Sequence, residues 1–441
     1  MMKTYIKTII LFVIGIFLFS WYYFYECKIC KKKEEISEMK KKLFLLDKKN
    51  VSFLGIYNND KEIECVKEKG NWEIKKPQRI KGDNEEIERI IENVLNLKEE
   101  RSLGKIENLE EYGLSSPAKK ISIGDEGKIF TIFIGYENPS GSYFYITENK
   151  SEISLVSKWD LNSIIEKDIF ALRDKKFFHF DKEKIKEIEI KRTPFYLLCK
   201  KGEKWNIEKP YKDIADKDKI NELLSEIENG KAKSFPEEIK IKELLKSPLI
   251  VITLKENGNS YHLFIVKEKD NYYAKSSTTG YTFEIEKTFV EKIPENAEQL
   301  REHSVFTLNI DEIVEFEIKR EKEKIYLKKE NEKWLNPIFK ETKFSEEKIK
   351  NFFSDLKYLK IEKFIQPEDK LLEKYKLKEP AITIKVKTKE GQEEQVHFGL
   401  KEEKVFYGYN PTRKIIFSLP SSDWEKINKK IKDFVLTIEN K

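Results

Sequence analysis

The chain has 441 residues, a length typical of about three domains. Hydrophobic residues make up 39% and charged residues 37%, so there is enough apolar material for packed cores. The 85 basic and 79 acidic residues are interleaved and leave a net charge of only +6, which argues against a dedicated nucleic-acid-binding protein. Four Cys exclude a disulfide scaffold, and four His leave little for metal chemistry.

The first element is an apolar segment near the N-terminus. Residues 8–25 contain no charge, and as a helix they would span roughly 27 Å, near the hydrocarbon thickness of a bilayer. Trp and Tyr cluster at the C-terminal end of the segment, where interfacial aromatic residues belong. The pattern predicts a single transmembrane anchor within residues 1–27.

Three other interpretations of this segment are weaker. The first, a buried helix of a soluble domain, does not suit its position at the N-terminus. A cleaved signal peptide needs small residues at its cleavage site, and bulky aromatic residues stand there instead. A lipoprotein signal at Cys27 fails for the same reason. Cys27 and Cys30 remain open between lipidation, an intermolecular disulfide and ordinary interfacial thiols. Lysines flank the segment on both sides, and their count alone directs the bulk of the chain toward the cytoplasm.

A juxtamembrane helical linker is predicted over residues 28–49. Ile36, Met39, Leu43 and Leu46 form one apolar stripe at helical spacing. A short dimer seam and a plain stalk both fit this stripe. We favour the stalk, since two heptads are too few to indicate a coiled coil.

The rest of the chain contains an internal repeat. Trp72, Trp205 and Trp334 stand 133 and 129 residues apart, and each belongs to a strand-like run after a charged turn. We expect these side chains to be core anchors, with ligand stacking as the alternative. The predicted repeat units are residues 50–173, 174–303 and 304–441.

Within each repeat, a polar residue precedes a helical pattern. Asp83, Asp216 and Ser345 are predicted as N-caps, which accept hydrogen bonds from free backbone amides, rather than as catalytic groups. Glu86, three residues after Asp83, is predicted to act as its capping-box partner.

The second half of each repeat contains paired strands and a final helix. Asn257-Gly258 between apolar runs is a strong hairpin signal, and Gly124 to Gly127 and Glu390-Gly391 hold the same place. Short hairpins rather than helical crossovers predict an α+β class with mainly antiparallel sheets. The terminal helices are expected near Trp159–Ile165, Lys287–Ile293 and Trp424–Ile431.

The sequence contains no recognisable catalytic, cofactor or metal motif. No repeat position is His in two units, and the nucleophile-elbow, phosphate-loop and His-Glu-x-x-His motifs are absent. Cys65 and Cys199 occupy similar strands of different repeats and are expected to be small buried hydrophobes. No pair of carboxylates can be singled out in a chain this rich in Glu. The four histidines are far apart in the sequence, at His179, His262, His303 and His397.

The repeated motifs resemble the bacterial domain of unknown function 4340 family. The resemblance covers about residues 50–435, although the third repeat lacks the Ile-x-x-Pro spacing and the Asp. Members of that family often lie beside ABC-transporter genes and resemble parts of gliding-motility auxiliary proteins. The residues that carry the match are Trp72, Pro77, Asp83, Tyr112, Gly113, Leu114, Pro117, Gly135, Trp205, Pro210, Ala215 and Asp216.

The resemblance implies an exported, membrane-tethered accessory module and transfers no catalytic residue. We therefore expect a single-pass, non-enzymatic protein of the cell envelope, without a cofactor or nucleic acid, and with an ABC-type permease or another envelope protein as a partner. The alternatives are an enzyme that acts on envelope polymers through carboxylates and a scaffold that faces the cytoplasm. The sequence predicts neither the ligand nor the oligomeric state.

Overall fold

A computed structural model describes residues 2–25, 41–125, 127–236, 243–320, 323–331, 333–337, 345–402 and 404–439. The chain divides into two compact units, Met1–Lys175 and Lys176–Lys441. The first unit contains one β-sheet, and the second contains two. The predictions for Cys27, Cys30, Ile36 and Met39 lie outside the described residues.

Nine α-helices occur in the described part of the chain. They are α1 (Met2–Phe24), α2 (Asn84–Leu95), α3 (Lys158–Ile165), α4 (Ile169–Leu172), α5 (Lys217–Asn229), α6 (Lys287–Lys292), α7 (Glu346–Tyr358), α8 (Asp369–Lys374) and α9 (Ser421–Glu439). Helices α3, α6 and α9 begin within a few residues of the three predicted terminal helices.

The sheet of the first unit has nine antiparallel strands in the order β4-β3-β2-β1-β6-β7-β8-β9-β5. The strands are β1 (Phe53–Asn58), β2 (Lys61–Glu68), β3 (Asn71–Lys76), β4 (Ile80–Lys81), β5 (Arg101–Lys105), β6 (Lys119–Gly124), β7 (Ile129–Glu137), β8 (Tyr143–Thr147) and β9 (Glu152–Ser157).

The second unit contains two sheets of eight strands. The first of them consists of β10 (Glu187–Lys191), β11 (Tyr196–Lys201), β12 (Lys204–Lys209), β13 (Asp213–Ile214), β14 (Ile250–Glu256), β15 (Asn259–Glu268), β16 (Asn271–Ser276) and β17 (Thr282–Ile285). The other consists of β18 (Ile313–Arg320), β19 (Glu323–Glu330), β20 (Lys333–Leu335), β21 (Lys363–Ile365), β22 (Ile382–Thr388), β23 (Glu393–Glu402), β24 (Val405–Asn410) and β25 (Ile415–Pro420).

The three sheets share one topology. In each sheet the first strand begins a meander of neighbouring strands, and a helix follows that meander. A second meander then starts on the other side of the first strand. The strands that join the two meanders are antiparallel: β1 pairs with β6, β10 with β14, and β18 with β22. The predicted turns join β6 to β7, β14 to β15 and β22 to β23. The predicted α+β class and the tandem repetition are therefore confirmed.

The marker tryptophans lie at equivalent places in the three sheets. Trp72, Trp205 and Trp334 stand on β3, β12 and β20 and are all buried. The Trp72 indole donates a hydrogen bond to Glu88 Oε1 at 2.9 Å, so its polar end is satisfied. The prediction that these residues anchor the core is confirmed.

Helices α2, α5 and α7 pack on their sheets through an apolar face. The buried positions of α2 recur at intervals of three or four residues, as the amphipathic period requires. The N-cap predictions are confirmed: Asp83 accepts from the amide of Glu86, Asp216 from two amides, and Ser345 from the amide of Lys348.

The capping-box role of Glu86 is not observed. Its carboxylate contacts Arg89 and Lys167 instead. The amide of Asp83 donates to the carbonyl of Leu172, which brings the end of the repeat back to the start of α2. In the second repeat the amide of Asp216 donates a hydrogen bond to the carbonyl of Leu300 at 2.8 Å, so this repeat closes in the same way.

Residues 11–24 of helix α1 are all exposed. Among the residues that the structure describes, no helix meets the length and apolarity expected of a membrane span. The transmembrane anchor therefore stays a prediction.

The linker differs from its prediction where it is described. Residues 41–47 are not helical. The amide of Leu43 donates to the carbonyl of Leu97, and Lys42 forms a bridge with Lys98. Since this backbone pairs with the segment after α2, Leu43 and Leu46 do not belong to a helical stripe.

The Tyr-x-Leu motif of repeats 1 and 3 packs against a strand glycine. A Cβ at Gly135 would overlap the carbonyl oxygen of Tyr112, and one at Gly399 that of Tyr375. The β7–β8 ladder shifts register at Gly135, and the β23–β24 ladder does so at Gly399. The second repeat has neither the tyrosine nor the glycine, and the β15–β16 ladder runs without a shift. The motif and the irregular strand therefore occur together.

Candidate functional site

The histidines do not converge. His262 Nδ1 lies 3.1 Å from Thr253 Oγ1, and His303 Nδ1 lies 2.8 Å from the carbonyl of Ile361. His397 is half-buried, and its burial lowers the pKa of its imidazole. No group of three or more His, Cys, Asp or Glu side chains within the described ranges is placed to hold a metal ion.

The described cysteines are free thiols in equivalent strands, Cys65 on β2 and Cys199 on β11. Burial raises the pKa of Cys65 to about 12. Burial and the nearby Glu187 also raise the pKa of Cys199, which is only half-buried. Since the thiolate is the nucleophile, this environment makes Cys65 inert.

We expect Cys65 to resist alkylation in the folded protein. In a variant with Cys27, Cys30 and Cys199 changed to Ser, a maleimide at pH 8 should react about a thousandfold more slowly than with the denatured chain, because almost no thiolate is present. The matched variant that keeps only Cys199 should react faster. Equal native and denatured rates for Cys65 would contradict its burial.

In the part of the chain that the structure describes, the most concentrated buried charge lies in the second unit. Asp213 on β13 accepts hydrogen bonds from Arg301 Nε at 2.7 Å and from Arg413 Nε at 2.8 Å. We call these three residues the buried ion cluster. Their side chains are 0%, 4% and 1% exposed.

The cluster connects repeats 2 and 3. Asp213 stands on the edge strand of the second sheet, and Arg413 lies in the turn between β24 and β25 of the third. Arg413 also donates to the carbonyl oxygens of Ser304 at 2.9 Å and Glu302 at 2.7 Å, on the segment between the two repeats. One carboxylate thus holds a strand of one repeat to a turn of the next.

The hydrogen-bonding groups of the cluster are occupied. Arg301 contacts Glu298 at 3.0 Å, and its guanidinium lies 3.6 Å from the ring centroid of Phe364. Asp213 Oδ1 also accepts the amide of Ile214 at 2.8 Å. Because buried charges need such complete pairing, the arrangement is suited to fixing two repeats together rather than to taking up a substrate.

A second buried carboxylate supports the same junction. Glu394 on β23 accepts from the amides of Thr307 at 2.7 Å and Leu308 at 3.0 Å. It also accepts from Asn410 Nδ2 at 2.8 Å, while Asn410 Oδ1 accepts the amide of Arg413. Glu394 and the buried ion cluster are therefore linked through Asn410.

The first unit presents an exposed aromatic ring beside a shallow groove. Trp159, the second residue of α3, is 84% exposed. The groove has a volume of about 540 Å³, and apart from Trp159 its lining is polar or glycine. Its other lining residues are Gly141, Ser142, Lys158, Asn162, Ser163 and Glu166.

The rim of this groove is fixed by an ion pair. Lys158 Nζ lies 2.8 Å from Glu137 Oε2, and the amide of Lys158 donates to the carbonyl of Ser142 at 3.0 Å. Ser157 caps α3 by accepting from the amide of Asp160. These contacts hold the first turn of α3 and the loop before β8 in a defined position.

The buried ion cluster and the Trp159 groove match no motif in the sequence. Arginine is rare in this chain, and two of its eight arginines join one carboxylate. Asp213 occupies the place that Ile80 holds in repeat 1, three residues after the proline, so a charge at an otherwise apolar repeat position was the available signal. An arginine is the usual partner for such a buried carboxylate.

Comparison with known proteins gives one family. The model of the family described as Domain of unknown function (DUF4340) matches residues 72–237 and 205–380. No curated protein matches the chain. A solved structure, a putative DNA polymerase III beta subunit from Eubacterium rectale, is 10% identical over 87% of this chain and 94% of its own, with a TM-score of 0.14. That similarity is too low to carry an argument.

Proposed function

The chain belongs to the DUF4340 family of domains of unknown function, and from that premise we propose that it is a membrane-anchored, non-enzymatic binding protein of the cell envelope. In this proposal α1 lies in the cell membrane. The repeats form an exported body that acts as an accessory to a membrane partner, for which an ABC-type permease is the candidate.

The observation that carries the proposal is the apolar surface of α1. The large side chains of its residues 11–24 are exposed, from 51% at Ile14 to 74% at Leu11. Burial of such a side chain is worth about 1.5–3 kcal/mol, so a helix with many of them has a strong tendency to leave water. Lipid supplies that burial, and the uncharged run over residues 8–25 suits a bilayer.

The packing of the repeats supports a binding role. Each has its own antiparallel sheet with a helix packed on it, and repeats 2 and 3 are joined by the buried ion cluster. Such a scaffold can hold surface residues in fixed positions, as recognition requires.

Membrane anchoring is tested by fractionation. We expect the full-length protein to remain in the membrane pellet after an alkaline carbonate wash, and the variant lacking residues 2–25 to be recovered in the supernatant. Phe17→Lys combined with Leu18→Lys should also release the protein, since each lysine in mid-membrane costs about 2.5–3.5 kcal/mol. As a control, Lys61→Ala/Lys69→Ala should stay in the pellet. Full-length protein in the supernatant would contradict the anchor.

The side of the membrane is tested by protease accessibility. For an exported body, a protease added to cells with a permeabilised outer barrier and an intact cell membrane should digest residues 41–441. Digestion only after lysis would show a cytoplasm-facing scaffold and overturn the export proposal. Cross-linking in the same cells should then recover a membrane transporter subunit.

A further inference from the structure

The outer face of α3 combines an aromatic ring with unengaged polar groups. Trp159, Asn162 and Glu166 are spaced by three and four residues, which places them on one side of the helix. The opposite side carries the buried Leu161, Ile164 and Ile165. Within the described residues, the side chains of Asn162 and Glu166 have no hydrogen-bond partner.

The fold does not require a tryptophan at this position. In repeats 2 and 3 the second residue of the terminal helix is Thr288 or Ser422. An exposed indole among polar neighbours also contributes little to stability. A single exposed ring is common on protein surfaces, so it is the combination of this ring with the unengaged polar side chains of the groove that indicates a ligand.

We propose that the α3 face of the first repeat binds a neutral saccharide. This deepens the binding role proposed above by naming the class of ligand. An indole face can stack on the apolar face of a pyranose ring, while an amide and a carboxylate hydrogen-bond its hydroxyls. Asn162 offers both donors and acceptors, Glu166 offers acceptors, and both side chains line the groove beside Trp159.

Charge favours a neutral sugar over an acidic polymer. Lys158 is already paired with Glu137, so Glu166 is the uncompensated charge of the groove. Among the described residues that line the groove, a polyanion would meet the carboxylate of Glu166 and a lysine that already has a partner. A membrane-contact face would instead combine several apolar side chains with basic ones. Here one ring stands among Ser142, Asn162 and Ser163.

The test is a titration of the full-length protein in a zwitterionic detergent, which avoids detergents with sugar headgroups. The probes are the tetramer of N-acetylglucosamine and cellotetraose, measured by calorimetry. We expect at least one to bind with a Kd between about 10 μM and 1 mM. Trp159→Ala should raise the Kd by at least about tenfold. Asn162→Ala should raise it by about fivefold, through loss of a hydrogen bond.

The matched control is Tyr358→Ala, which removes another exposed aromatic ring, on α7. It should leave the Kd unchanged. No binding of either tetramer at 10 mM, unchanged affinity in Trp159→Ala, or an equal loss in Tyr358→Ala would each overturn the proposal.

The same protein in vesicles of phosphatidylethanolamine and brominated phosphatidylglycerol tests lipid as the occupant. Quenching of the Trp159 contribution, obtained by difference from Trp159→Phe, would show a lipid contact and count against the saccharide. Since the titration is done in detergent, it does not depend on the outcome of the fractionation experiment.

Discussion

Replacing Asp213 with alanine is expected to lower the free energy of unfolding of the second unit by about 3–5 kcal/mol. The change leaves two guanidinium groups buried without their shared carboxylate. Arg301 keeps Glu298 as a partner, whereas Arg413 keeps only carbonyl oxygens. The loss therefore falls mainly on Arg413 and on the junction between repeats 2 and 3.

Hydrogen exchange measured by mass spectrometry is the suitable readout, because it reports local opening in each part of a large chain. Peptides from β10 to β25 should exchange faster in the full-length Asp213→Ala protein. Peptides from β1 to β9 provide an internal control and should keep the wild-type rate. Asp213→Asn should also be destabilised, since it keeps the shape and removes the charge.

A double variant separates charge from packing. Asp213→Ile introduces the residue that stands at the equivalent place in repeat 1, and Arg413→Met removes the guanidinium that depends on it. Because apolar replacement of a buried ion pair is often neutral, the double variant should exchange more slowly than Asp213→Ile alone. Additive destabilisation by the two changes would show that the pair is not coupled in the way the distances indicate.

The repeated architecture was predictable because its signals are local. A buried tryptophan at fixed intervals, an N-cap such as Asp83 and a hairpin turn such as Asn257-Gly258 each depend on a few neighbouring residues. The same residue types therefore recur in each copy and can be aligned within one sequence.

The buried ion cluster and the Trp159 groove were not predictable in this way. Asp213 and Arg413 are 200 residues apart, and only the packing of two sheets brings them together. Trp159 was predicted only as the start of a terminal helix, and its exposure follows from the rotation of α3 on the sheet. The capping-box partner failed for a related reason, since the closing segment at Leu172 competes for the amide of Asp83.

The second large effect on stability is expected where the Tyr-Gly-Leu motif of repeat 1 packs on Gly135. Gly135→Ala is expected to destabilise the first unit by about 3 kcal/mol, at the upper end of overpacking costs. The added Cβ would overlap the carbonyl oxygen of Tyr112 and approach Leu114 within 3.1 Å. A backbone carbonyl cannot rotate away as a flexible side chain can, so the Tyr-Gly-Leu turn would have to move off β7.

Gly127→Ala is the matched control, because its Cβ would meet no atom closer than 3.8 Å and should cost little. Hydrogen exchange of peptides from β6 to β8 in the full-length protein should increase in Gly135→Ala and remain at the wild-type rate in Gly127→Ala. Val266, the corresponding residue of repeat 2, already carries a buried side chain, and no tyrosine motif packs there. If Gly135→Ala and Gly127→Ala behaved alike, the tyrosine motif would not need glycine on the strand. The register shift at Gly135 would then require another cause.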